Sequence, residues 1–237
     1  MDQLYISLGT DAREHDETDR IWHLPTAGKP GVWMPPAIGD LSFDTGYVLY
    51  RFPRVLKGLG PRLYAADYRG DLVDLEDQVI VRQARLFRWI DTWNEQTQRL
   101  FAADCAERVV YLFEQGYPHN DWASRAIAVA RQFANGEIGN EQRLQLARAT
   151  PIMHCPADDS CSSDGQYAAE EAKDAALVAI FRSDDDDRTY SALMGARTYA
   201  ARAVREAHCP PDTAGCPAEC AEREWQRNKL LEYLKIV

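Results

Sequence analysis

Two hydrophobic rhythms divide the chain near residue 91. Before it, apolar residues come in short runs. Pro25, Pro30, Pro35, Pro36, Pro53, Gly28, Gly31, Gly39 and Gly46 break any long helix there. The runs Leu4–Leu8, Val32–Met34 and Tyr47–Arg51 predict short strands. Arg62–Arg69 alternates, with Leu63 and Ala65 on one face and Tyr64, Ala66 and Tyr68 on the other. Gly70-Asp71 then predicts a turn. Val79–Val81 and Leu86–Ile90 predict one long strand or two short ones.

After Asp91 the period becomes helical. Thr92 and Glu95 have capping-box spacing, and Phe101, Cys105, Val109 and Leu112 share a face of the helix that follows. Gly116 and Pro118 end that helix. Asp121 starts a second, with Trp122, Ala126, Ala130 and Phe133 on one face and Asn135-Gly136 as its stop. Asn140–Arg148 is a third. Gln166–Phe181 carries Ala168, Ala172, Ala175 and Ala179; Arg188–Ala207 carries Leu193, Ala196, Ala200 and Val204; a last helix spans Glu219–Ile236. Small faces of this kind let helices pack closely. The expected fold class is α+β: a mixed or mainly β module over residues 1–90, then an antiparallel α-helical bundle over residues 91–237.

Charge narrows the function classes. The 37 acidic and 27 basic residues give a net charge of −10. Arginines are scattered among acids and lysine is rare until Lys229 and Lys235, so the clustered cations of a generic nucleic-acid binder are missing. Asp184, Asp185, Asp186 and Asp187 form a four-acid run. It suits the N-terminus of the following helix, and it is a candidate contact for a basic partner. It lacks the spaced ligands and glycine of a calcium loop. Met1–Ser7 leads into Asp11, Arg13, Glu14, Asp16 and Glu17 with no apolar core of a signal peptide. No apolar stretch approaches the roughly 20 residues that span a bilayer. The expectation is a cytoplasmic protein with no membrane association.

Catalytic signatures are hard to find. The phosphate-cradling Gly-x4-Gly-Lys-Ser/Thr loop, Gly-x-Gly-x-x-Gly, His-Glu-x-x-His, Gly-x-Ser-x-Gly and Cys-x-x-Cys are all missing. The histidines, among them His154 and His208, lie in no catalytic signature. Trp33, Tyr47 and Tyr64 belong to a crowd of aromatics in the first segment, with Arg51 and Arg54 nearby. They read either as core or as the lining of a small-molecule or nucleotide pocket.

The cysteines are the clearest chemical candidates. His154-Cys155-Pro156-Ala157-Asp158 recurs as His208-Cys209-Pro210-Pro211-Asp212, and each copy is followed by another cysteine, Cys161 or Cys216. Cys216-x3-Cys220 has spacing that lets two thiolates share a zinc ion. Cys155, Cys161, Cys209, Cys216, Cys220 and His208 could hold a structural zinc, form local disulfides, or stay as thiols. Cys105, on an apolar face, reads as core.

Three stretches of the helical part carry a family resemblance. Residues 99–114, Arg99-Leu100-Phe101-Ala102-Ala103-Asp104-Cys105-Ala106-Glu107-Arg108-Val109-Val110-Tyr111-Leu112-Phe113-Glu114, resemble the first helix of the bacterial and phage putative immunity proteins. Tyr117-Pro118 and Arg125–Ile138 resemble that family's second helix, and Ala221–Leu231 resembles its last. The resemblance implies a helical protein from polymorphic-toxin neighbourhoods that binds and neutralises a toxin, with no catalytic residues to carry over. The first segment resembles an uncharacterised module fused to such helices, through Pro30–Trp33, Gly46–Leu49 and Leu63–Gly70, with Val48 where relatives place a histidine. The expected function is therefore non-enzymatic: sequestration of a protein partner, a toxin or defence factor, through an acidic helical surface. The alternative is a nucleotide-binding or nucleotide-modifying module in residues 1–90, with the helices as scaffold.

Overall fold

The computed structural model describes residues 3–14, 20–26, 28–52, 54–55, 59–150, 164–180, 186–209 and 215–235, with the side chains of 164–166 and 186–194 outside that description. The chain divides into two compact units, Met1–Asn94 and Glu95–Val237. The architecture is α+β, with a β module followed by a helical part.

In the first unit, β1 (Leu4–Leu8), β2 (Tyr47–Tyr50), β3 (Arg62–Asp74) and β4 (Gln78–Trp89) close a barrel in the order β1-β2-β4-β3. All pairings are antiparallel; Leu4 to Leu8 run against Ala66 to Arg62, and Tyr47 to Tyr50 against Val81 to Gln78. Alternation sends Leu4, Ile6, Leu8, Tyr47, Leu49, Tyr64, Ala66, Val79 and Val81 into one core, which Trp22 and Met34 complete.

Three local predictions need correction. Gly70-Asp71 does not end a strand. The register shifts between Arg69 and Leu72, with Gly70 at φ +82°, so the glycine is absorbed as a bulge and β3 continues to Asp74. Val32–Met34 is not a strand either. Its segment runs along the edge of β4 through Gly31 N–H to Leu86 O (2.8 Å), Met34 N–H to Ala84 O (2.9 Å) and Ala37 N–H to Arg82 O (2.8 Å). Pro35 and Pro36 offer no N–H, so no regular ladder can form. Finally, the first helix begins at Glu95 rather than directly after Thr92. The Trp93 indole is buried and donates to Gly60 O at 2.9 Å, which holds the chain to the β module past that point.

The second unit contains α1 (Glu95–Glu107), α2 (Val110–Gly116), α3 (Trp122–Ala134), α4 (Asn140–Arg148), α5 (Asp164–Ile180), α6 (Asp186–His208) and α7 (Pro217–Leu234). The helix expected to run to Gly116 is broken at Arg108-Val109. β-branched Val109 and Val110 stand at the break and at the start of α2, and Arg108 turns its guanidinium onto Trp225 of α7, 4.8 Å from the ring centre. α5 is the hub, packed on α1, α2, α3, α4 and α6. Its Ala168, Ala169, Ala172, Ala175, Ala176 and Ala179 are all buried. Short side chains are what allow five neighbours to approach one helix; a Cβ on Gly116 of α2 would lie 2.8 Å from the Ala169 Cβ. Arg143 is fully buried on α4. Its guanidinium donates to Ile180 O at the end of α5 and lies 4.9 Å from the Phe133 ring centre. Among the described residues no helix is long and apolar enough to cross a membrane.

Candidate functional site

The residues singled out in the first unit are engaged within the fold and are not gathered into one pocket. Tyr47 and Tyr64 are buried in the barrel core. The Tyr47 hydroxyl donates to Pro35 O at 2.7 Å, and burial pushes its pKa up. Trp33 is flanked by the guanidiniums of Arg69 and Arg85 at 4.5 and 4.6 Å. Arg51 makes a two-pronged pair with Asp74, both contacts at 2.8 Å, and the Asp74 carboxyl is held below its ordinary range by that bond. Arg54 pairs with Asp77 at 4.0 Å. Asp74 faces Val79 while Asp67, paired with Arg85, faces Arg85 on the same strand. Six residues of β4 therefore separate the two arginine sites, about 20 Å.

The cysteines are partly described. Cys209 and Cys216 are joined as a disulfide, Cys220 is a free exposed thiol, and Cys155 and Cys161 lie outside the described residues, as does His154. With their sulfurs bonded to each other, Cys209 and Cys216 offer no thiolate to zinc. Among the described residues no group of three or more His, Cys, Asp or Glu side chains is placed to hold a metal ion. His208 Nε2 lies 3.2 Å from the Tyr111 hydroxyl. Cys105 is buried as expected, and burial and the nearby Glu222 push its thiol pKa well up.

Asp184 and Asp185 lie outside the described residues, and Asp186 and Asp187 open α6 with side chains outside them. The described part of the helical unit presents two polar constellations in their place. The first ties α7 to α1, α3 and α6. Asp104 accepts from Arg131 (2.7 Å) and from the Tyr233 hydroxyl (2.7 Å), with Lys229 at 3.6 Å. Glu107 receives both prongs of Arg131, which lowers its pKa and raises that of Arg131. Buried Glu222 accepts from Arg108 at 3.2 Å and from Gln226 at 3.1 Å, and Gln226 in turn bonds Arg197 O at 3.1 Å. A cavity of about 330 Å³ opens beside Asp104, Glu107, Arg108, Trp225 and Lys229. Its charges neutralise one another, so it is built to hold helices together.

The second constellation is only partly satisfied, with Asp174 paired to Lys173 at 3.4 Å. Tyr167, Glu170, Glu171 and Asp174 stand at i, i+3, i+4 and i+7 on α5, on the face opposite the buried alanines. Tyr167 is 53% exposed. Half-buried Glu171 has one carboxylate oxygen, Oε2, that is shielded from solvent and has no hydrogen-bond partner among the described residues. Burial raises its pKa; Arg202 opposes this, while Asp174, Glu206 and Glu170 add to it. An aromatic ring on one helix face with three carboxylates, one of them with an oxygen that no described residue satisfies, is chemically disposed to receive a cation from outside.

Known proteins speak to this unit. Residues 88–176 match the model of the Imm-5 like putative immunity protein family. The match takes in α1 to α4 and most of α5, including Tyr167, Glu170, Glu171 and Asp174. The resemblance carried by residues 99–114 and 117–138 is thereby borne out. No curated protein and no solved structure matches the chain.

Sequence reasoning missed this stripe. A signal existed: the four residues lie on the face of Gln166–Phe181 that the alanines leave open. The consecutive acids at 184–187 are simply easier to see. Glu206 could not be assigned to the site without the α5–α6 packing.

Proposed function

We propose that the protein is an immunity-type binder that sequesters a basic protein partner, a toxin or a defence factor, through the acidic face of α5 and α6. The observation that carries this reading is Glu171. A shielded carboxylate oxygen without a partner costs stability in the free protein, and neighbouring acids add to that cost. Such a group makes sense where a partner supplies the missing cation. Tyr167 gives the same face a rigid aromatic anchor, the residue type that concentrates binding energy in interfaces. The family match to an immunity-type protein spans these residues. The partner's site would carry arginine or lysine, as the nucleic-acid cleft of a nuclease toxin does. The protein would act in the cytoplasm, where such a toxin does its damage.

The test is co-expression with candidate nuclease toxins. Protection, a 1:1 complex, and affinity that falls with added salt are expected. A complex whose affinity ignores both salt and neutralisation of Glu170, Glu171, Asp174 and Glu206 would remove the acidic face from the account.

A further inference from the structure

Three cysteines meet at the junction of α6 and α7. Cys209 directly follows α6, its amide bonded to Arg205 O at 2.9 Å. Cys216 is the N-cap of α7, and the sulfurs of these two are joined. Cys220 lies one turn into α7, its amide on Cys216 O at 3.0 Å, with a free and exposed thiol. The two bonded sulfurs stand in different surroundings. Cys216 is 1% exposed, and its Sγ accepts from the Glu219 amide at 3.4 Å. That amide is one of the N–H groups a helix start leaves without a backbone partner. Cys209 is half-buried, so its sulfur is the easier to reach.

We infer that Cys209 and Cys216 form a thiol–disulfide exchange site with a fixed polarity, in which a cellular thiol attacks Cys209 and Cys216 leaves as the thiolate that caps α7. In the first step the attacking thiolate forms a bond to the Cys209 sulfur. The Cys209–Cys216 bond breaks, and its electron pair stays on the Cys216 sulfur. In the second step another thiolate of the reductant attacks the reductant's own sulfur in the mixed disulfide. Cys209 leaves as a thiolate and takes a proton from water. Two electrons have then passed to the protein, and the reductant has become a disulfide.

Both determinants of such an exchange point the same way. Exchange is fastest where the attacked sulfur is accessible and the leaving thiolate is stabilised. Access favours Cys209. The first-turn amides of α7 and the positive end of the helix favour negative charge on Cys216. Reduction also leaves the cap in place, because a thiolate accepts the Glu219 amide more strongly than a disulfide sulfur does. The covalent tie between α6 and α7 is lost while α7 keeps its start. In a reducing compartment the tie stands open, and it closes on oxidation. Cys220 takes no part in the cycle.

The probe is glutathione, applied to the full-length oxidised protein, with acid quenching, alkylation and peptide mapping by mass spectrometry. The mixed disulfide should accumulate on Cys209 over Cys216 by about tenfold or more, with Cys220 alkylated from the outset. The Cys216→Ser variant, whose hydroxyl can still cap α7, should keep the wild-type helical signal and, given glutathione disulfide, exchange at the Cys209 thiol to a glutathione adduct with release of one reduced glutathione. Equal labelling of the two sulfurs, an adduct mainly on Cys216, a crosslink to Cys220, or a pair that resists excess glutathione would each overturn the inference.

Discussion

Replacing Glu171 by glutamine should stabilise this protein and weaken its function. The substitution keeps shape and removes charge. Glu171 Oε2 has no hydrogen-bond partner among the described residues; burial raises the pKa of the group, Arg202 lowers it, and Asp174, Glu206 and Glu170 raise it further. An unsatisfied polar atom costs about 1–3 kcal/mol when fully buried. Glu171 is only half-buried, so water screens much of this, and about 0.5–1 kcal/mol is the expected gain. For a helical unit of this size that is about 2–3 °C in Tm. The pH dependence supplies the sharper check. A carboxyl whose folded pKa exceeds its unfolded value costs stability at neutral pH, and the cost is released as pH falls from the raised value toward the ordinary one. The gain in Glu171→Gln should therefore shrink in acid and approach zero below the ordinary glutamate range. Asp74 and Glu107 move the other way: their lowered pKa values give stability above the ordinary range that is lost on acidification. Both groups are present in the two proteins, so the difference isolates Glu171. Thermal melts of the pair from neutral to acid pH suffice. A less stable variant at pH 7, or a gain that does not change with pH, would refute the reasoning.

Other substitutions test the rest of the helical unit. Asp104→Asn keeps the shape but takes the charge from the Arg131 and Tyr233 contacts, and should cost about 1.5–3 kcal/mol in urea unfolding. Arg143→Ala removes a fully buried side chain and its bond to Ile180 O, and should cost about 3 kcal/mol or more by the same assay. Reducing the Cys209–Cys216 bond, which closes a loop of sequence separation 7, should cost about 2.5 kcal/mol, seen as a lower urea midpoint in dithiothreitol. Tyr167→Ala should leave stability within about 0.5 kcal/mol, because the ring is largely exposed, and should weaken partner binding in titration calorimetry.

Much of the fold was legible because local signals and tertiary packing agree. Leu4–Leu8 and Asn140–Arg148 form the elements their patterns predict at both ends. Asp121 and Asn135 bracket α3 as its caps. The departures arise where a distant contact outweighs a local preference. Gly70 looks like a turn, yet the pairing of β3 with β4 continues through it as a bulge. Trp93 has a place in a helical pattern, yet its indole is tied to Gly60. At the Arg108-Val109 break Arg108 contacts Trp225 of α7, more than 100 positions away, which periodicity cannot register. The candidate site shows the same division. The α5 stripe of Tyr167, Glu170, Glu171 and Asp174 was readable from spacing, whereas the partnerless oxygen of Glu171 depends on burial and on Glu206 from another helix. The aromatics and arginines of the first segment suggested a pocket by composition; their partners, Asp74, Asp77 and the Trp33 ring, lie on other elements and are invisible in the local sequence.

The central claim is that this acidic face holds a basic partner. Titration calorimetry of a toxin that the protein protects against, with the wild-type protein and a variant neutralised at Glu170, Glu171, Asp174 and Glu206, tests it most directly. The account predicts a 1:1 complex that weakens about 100-fold or more in the variant, equivalent to about 2.7 kcal/mol, while the variant melts at or above the wild-type temperature. Equal affinity of the two proteins for the toxin would contradict it.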